Sequence, residues 1–192
     1  IESLKNDATY QSLFQKVFGS SPELRWLSYA LATYVRTLLS GDSAYDRYEA
    51  GEKRALTSQQ QEGLRLFRGK ARCATCHSGS NFTDEDFHNT GVAWIGRSRD
   101  QPSGDPGRLA VTGRPQDEGK FKTPTLRNIE LTAPYMHDGS FKSLEEVLNF
   151  YDGGGISNHG LDQDIRPLHL TAEEKNALRA FLKSLTGSRS SK

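Results

Sequence analysis

The feature that most constrains this chain is the pentapeptide "CATCH", Cys73 to His77. Its C-x-x-C-H pattern is the attachment signature of a c-type haem. The two thiols add to the haem vinyl groups, and the adjoining histidine takes one axial position on the iron. Other readings of C-x-x-C fit less well. A redox dithiol expects a βαβ setting, and structural zinc needs four ligands at paired spacings. The chain has only these 2 cysteines, so no second pair exists and no structural disulfide is available.

At 192 residues the chain has room for one domain and a small extension. With 34% hydrophobic residues it reads as a soluble globular protein, polar for its size. Twenty-five basic against 24 acidic residues leave a net charge of +1, which argues against a nucleic-acid partner. No apolar run approaches the roughly 18 residues of a membrane span. The chain opens on Ile1, with neither an initiator methionine nor a signal segment. Haem attachment of this kind takes place outside the cytoplasmic membrane. The expectation is therefore an exported, periplasmic protein that has lost a signal peptide, and with it room for a larger missing upstream piece.

Hydrophobic periodicity predicts helices throughout. Tyr10, Leu13, Phe14, Val17 and Phe18 recur at helical spacing up to Gly19. Ser21 as N-cap and Pro22 at the first helical position open a second helix, with a stripe of Leu27, Leu31, Tyr34, Val35 and Leu38. Capping boxes at Thr57/Gln60, Ser143/Glu146 and Thr171/Glu174 open three more. Their inward residues are Leu64 and Phe67; Leu144, Val147, Leu148 and Tyr151; and Leu178, Phe181, Leu182 and Leu185. No alternating strand is predicted. From Ser78 to about Asn128 the pattern disappears into a long stretch rich in Gly, Pro, Arg and Asp, suited to wrapping a large flat cofactor.

The expected fold is mainly α: a cytochrome c-type haem domain with long irregular loops wrapping the haem. Residues 1–50 are read as an N-terminal helical segment packing on it, 51–187 as the haem domain, and 188–192 as a frayed tail. No residue is singled out as catalytic.

The second axial position decides the chemistry. Candidates are the sole methionine, Met136; His88, His137, His159 and His169; and a tyrosine. Methionine raises the haem potential, whereas oxygen ligands lower it. Met136 also suits the role of a core filler beside the haem. Tyr151 lies on the apolar stripe of its helix, where a buried phenol needs a partner. Periodicity leaves the choice open.

The run "GKFKTPTLRNIELTAPYMHDGSFKSLEEVLNFYDGG" resembles the C-terminal haem domain of the bacterial di-haem cytochrome c peroxidase and MauG family. The stretches "ALATYVRTLLSGDSAYDRY", "GLRLF", "CATCHSGSNFTDEDFHNTGV" and "DPGR" fit as well, so the resemblance spans nearly the whole chain. It implies one of two haem domains: the half that supplies electrons, separate from an N-terminal half whose haem meets hydrogen peroxide. In the peroxidases a distal methionine lies fourteen residues beyond the histidine of the PY-x-H motif. Counting from His137 reaches Tyr151, as in MauG, so the resemblance favours Tyr151 over Met136. It further implies a calcium ion bound through the carbonyls of Thr132 and Pro134, with a remaining ligand in the other half. Arg127 is implied as a haem-propionate partner. Implied partners are the peroxidatic domain and a redox protein donor or protein substrate. The competing reading is a stand-alone monohaem c-type electron-transfer cytochrome, which predicts a methionine ligand.

Overall fold

In the computed structural model, which describes residues 1–96 and 104–190, capping side chains set most helix boundaries. After a one-turn helix α1 (Glu2–Lys5), the Asp7 carboxylate accepts from the amides of Thr9 and Tyr10 and opens α2 (Ala8–Phe18). Gly19, at φ 67°, ends it in the left-handed conformation that glycine adopts without strain. The next helix, α3 (Leu24–Thr37), starts later than the Ser21/Pro22 signal predicts, because Glu23 is held extended at φ −128° and ψ 156°. Phe14, Phe18, Trp26 and Tyr29 form a chain of ring contacts with centroids 5.1–5.7 Å apart. Leu31, Tyr34, Val35 and Leu38, the predicted stripe of α3, are exposed. These residues belong to a first unit, Ile1–Gly41 with the residues from Arg189 onward, in which β1 (Leu39–Gly41) pairs with β4 (Ser188–Ser190). Of the tail read as residues 188–192, residues 191–192 lie outside the described residues.

The second unit is Asp42–Ser188. Its first helix, α4 (Ala44–Glu49), packs Tyr45 and Tyr48 on the unit's core. Arg127 Nη1 also reaches Asp46 Oδ2 at 2.7 Å, and the Ser43/Asp46 capping box holds that carboxylate in place. Helix α5 (Ser58–Arg68) carries the Thr57/Gln60 box with both bonds formed, and Leu64 and Phe67 are buried. In the long stretch that follows lie β2 (Phe87–His88), α6 (Leu109–Thr112) and β3 (Phe121–Lys122). The two strands pair antiparallel, Phe87 with Lys122 and His88 with Phe121. Runs of two residues are too short for alternation to reveal. Helix α7 (Leu144–Asp152) has half of its predicted box: Ser143 Oγ accepts from the Glu146 amide, but the Glu146 carboxylate takes the Lys142 amide instead. Helix α8 (Ala172–Lys183) has its Thr171/Glu174 box complete.

The architecture is mainly α with long irregular loops. Its core centres on Leu66, Phe67, Leu178, Phe181 and Leu185, each 2% exposed or less. Helices α5 and α8 meet where Gly63 faces Ala177. A Cβ at Gly63 would overlap the Ala177 carbonyl oxygen and lie 2.7 Å from Phe181 Cβ. Glycine is therefore required by the closeness of the two backbones.

Two predictions follow from this packing. Gly63→Ala should cost on the order of 3 kcal/mol through overpacking, outweighing the roughly 1 kcal/mol that alanine gains as a helix former. Urea denaturation measures the difference, and a variant as stable as wild type would remove the close crossing from the account. The second concerns Asp46. Burial raises its carboxyl pKa, but hydrogen bonds from Ser43 and Arg127 outweigh burial and leave it lowered. A carboxyl lowered on folding adds stability above its unfolded pKa of about 4, and that stability fades as pH falls through the folded value. Denaturation curves from neutral to acid pH should therefore lose a component in wild type that Asp46→Asn has already lost at neutral pH.

Candidate functional site

Helix α5 delivers the chain through Gly69 to Cys73–Thr75, a single 3₁₀ turn entered from Arg72 at φ 57°. The motif forms the floor of a cavity of about 530 Å³, a size suited to a cofactor. Cys73, Cys76 and His77 line it together with Tyr151, Met136, Thr132, Pro134 and Arg127. These residues therefore share one cavity lining. Apolar side chains complete the walls, among them Leu126, Ile129, Leu144, Val147, Leu168 and Leu182.

His77 is set up as a metal ligand. Its Nδ1 lies 2.9 Å from the Phe82 carbonyl. A carbonyl can only accept, so Nδ1 carries the proton and Nε2 keeps its lone pair. Burial lowers the pKa of His77, with the bond to Phe82 partly opposing it, which keeps the ring neutral at neutral pH. The thiols are also neutral. Burial pushes Cys73 up to about 12, and burial with the carboxylates of Asp84, Asp162, Asp164 and Asp86 pushes Cys76 up to about 11. Reactive dithiols sit in electropositive surroundings that lower the thiol pKa; these surroundings do the reverse. Cys76, Asp84 and His88 do place ligand atoms within 4.8 Å of one another, a Cys/Asp/His cluster next to the attachment motif.

In the same lining, burial and then the two thiols raise the Tyr151 phenol to about 12, with the Thr90 side chain acting in the opposite direction. Thr90 is brought there by the close packing of Gly91, at φ 82°, against the Ile156 backbone, where a Cβ would overlap the Ile156 carbonyl. Met136 reaches the cavity from a turn with φ 71°, a conformation uncommon for a side-chain-bearing residue. Arg127 commits Nε to the Ser80 carbonyl at 2.9 Å and Nη1 to Asp46. The distal histidine candidates separate. His159 is 71% exposed and pairs with Glu118, and His169 is exposed; neither lines the cavity. His137 lines it but stacks on Phe121, with centroids 3.8 Å apart. His88 lines it with its ring held between two carboxylates.

Sequence reasoning missed the polar frame behind this wall. Asn89, 1% exposed, donates to the Glu118 carbonyl (3.2 Å) and to Asn158 Oδ1 (3.0 Å), and its Oδ1 accepts from the Gly91 amide (2.9 Å). Its carbonyl accepts from the Asp162 amide at 2.9 Å. Arg72 pairs with Asp164, while its Nη1 is buried without a hydrogen-bond partner. The clue was composition: Asn and Asp crowd a region that lacks apolar periodicity.

The sequence model of the di-haem cytochrome c peroxidase family matches residues 1–54. Cytochrome-c peroxidase IdrP1 of Pseudomonas sp. (strain SCT) is 38% identical over 203 residues, covering 92% of this chain and 54% of that protein. Methylamine utilization protein MauG of Methylorubrum extorquens is 38% identical over 190 residues, covering 96% and 51%. The crystal structure of a MauG-like protein associated with microbial copper homeostasis superposes with a TM-score of 0.69 at 40% identity, over 77% of this chain and 52% of that one. The chain spans about half the length of the curated relatives it matches. The mainly α fold with irregular loops is consistent with a cytochrome c-type haem-binding domain. The chain belongs to the di-haem cytochrome c peroxidase/MauG superfamily.

Proposed function

We propose that this chain is the electron-transfer haem domain of a di-haem peroxidase or MauG-like oxidoreductase acting on hydrogen peroxide. In this reading it holds one covalent haem c and exchanges electrons or oxidising equivalents with a peroxide-reactive haem in an N-terminal half. The observation that carries the proposal is the convergence of Cys73, Cys76, His77 and Tyr151 on one cavity. When bound, haem supplies reversible one-electron chemistry at its iron.

The chain's own groups would divide the remaining work. Cys73 and Cys76 would hold the group through thioethers, and His77 would offer it a neutral Nε2. Tyr151 lines the cavity from α7, and its phenol would have to lose a proton to act as an oxygen ligand. Such a ligand would hold the site at low potential. Arg127 has Nη2 to offer a propionate, its other nitrogens being committed. The exposed apolar residues of α2 and α3, including Leu13, Val17, Leu31 and Val35, suit a surface that another domain covers. Calcium at the carbonyls of Thr132 and Pro134 belongs to the same proposal, with its further ligands in the missing half. So do export to the periplasm and a redox-protein donor or protein substrate. Among the described residues no helix is long and apolar enough to cross a membrane.

One observation favours a second reading: Met136 lines the same cavity. As the distal ligand it would make the chain a stand-alone monohaem c-type carrier. Optical and EPR spectra of the ferric protein, beside Tyr151→Phe and Met136→Ala, separate the two. The expected wild-type spectrum lacks a methionine-to-iron charge-transfer band, and Tyr151→Phe changes the spin or ligand state while Met136→Ala leaves it alone. A methionine band lost only in Met136→Ala would sink the tyrosine assignment. Covalent attachment has its own check. Cys73→Ser with Cys76→Ser should leave any haem extractable by acidified organic solvent, whereas wild type retains it.

A further inference from the structure

His88 ends β2 with its ring between two carboxylates: Nδ1 is 2.7 Å from Asp162 Oδ2, and Nε2 is 3.0 Å from Asp84 Oδ2. An ionised carboxylate only accepts, so a ring that bonds both must carry a proton on each nitrogen. Burial alone would lower the His88 pKa, but the bonds to Asp162 and Asp84 outweigh it and leave the pKa raised. The ring lines the cavity, close enough to Cys76 that their ligand atoms and those of Asp84 lie within 4.8 Å of one another. The charged groups around it come from every neighbouring segment. Asp84 lies on the loop after the motif and Asp162 on the loop after α7. Lys120, ahead of β3, acts on Asp162, and His88 acts on His77. Asp86 and Asp164 bear on Cys76, with Asp164 paired to Arg72.

We propose that His88 is a positioning residue that serves as an internal cation of the haem site, fixed beside the Cys76 thioether by Asp84 and Asp162 to favour the reduced state of the haem. The proposal rests on the haem c reading above. A positive charge beside a redox centre favours added electron density, and His88, 23% exposed, is partly shielded from solvent screening. The two carboxylates have two effects. They keep the ring charged, and they offset its field, so removing either kind of group shifts the potential in an opposite sense.

Spectroelectrochemical titration of the haem-loaded full chain tests this on wild type, His88→Gln and Asp162→Asn at mildly acidic pH, and on wild type and His88→Gln from neutral to alkaline pH. A pyridine haemochrome spectrum first establishes covalent loading. The midpoint potential is expected to fall in His88→Gln and to rise in Asp162→Asn. In wild type it should fall as pH rises through the range where His88 loses its proton, a fall that His88→Gln lacks. A merely structural role would move both variants the same way. Shifts of the same sign, no shift in either, or a pH-dependent fall preserved in His88→Gln would each overturn the proposal. If His88→Gln does not load haem, Asp162→Asn and the wild-type pH profile decide: no rise and no fall refutes it. Absence of covalent haem from wild type itself would refute the haem reading and this inference with it.

Discussion

The close approach of α5 and α8 at Gly63 is the constraint on which the second unit depends. With no side chain between the backbones, Phe67 of α5 and Phe181 of α8 come within 5.1 Å, ring to ring. Leu178 and Leu185 are buried on the same seam. That seam fixes the direction in which α5 ends. Since the motif begins four residues beyond Gly69, the direction of α5 also sets where Cys73 and His77 stand. The ring cluster extends to Phe82, whose centroid is 5.9 Å from Phe67 and 6.2 Å from Phe181.

Phe82 links packing to chemistry. Its ring belongs to the core, while its carbonyl accepts the His77 Nδ1 proton at 2.9 Å. Its backbone sits at φ 53°, a conformation that costs a bulky residue on the order of 1–3 kcal/mol. The anchored ring gives the chain a reason to hold that conformation, and the carbonyl then fixes the imidazole orientation. A loop shaped only by solvent would lack that anchor. The same core residue thus determines which nitrogen of His77 faces the cavity.

Helix type and most inward faces were legible from sequence because capping boxes and 3.6-residue periodicity report local physics. Thr57/Gln60 and Thr171/Glu174 formed as written. Ser143/Glu146 formed by half, because a second amide one residue earlier competes for the same carboxylate. The start of α3 was misplaced, since Ser21 and Pro22 satisfy the statistics of a helix start while residue 23 stays extended. The motif and Tyr151, the one read from spacing and the other from resemblance, line one cavity. The strand pair at Phe87–His88 and the Asn89 hub were not legible, because two-residue strands have no period and buried amides have no sequence pattern.

That illegibility has a physical basis. The wall made by residues 84–91 and 156–164 is ordered by hydrogen-bond stoichiometry more than by burial of apolar surface. Asn89 satisfies both its amide nitrogen and its oxygen across three segments, and His88 joins two carboxylates that would otherwise repel. A buried polar frame of this kind is costly when one member is missing and rigid when all are present. A hydrophobic wall could slide to accommodate its contents, since apolar contacts have no preferred partner. A wall built from matched donors and acceptors holds one geometry around the cavity. A redox cofactor benefits from that, because the charges around it stay at fixed distances whichever oxidation state it carries.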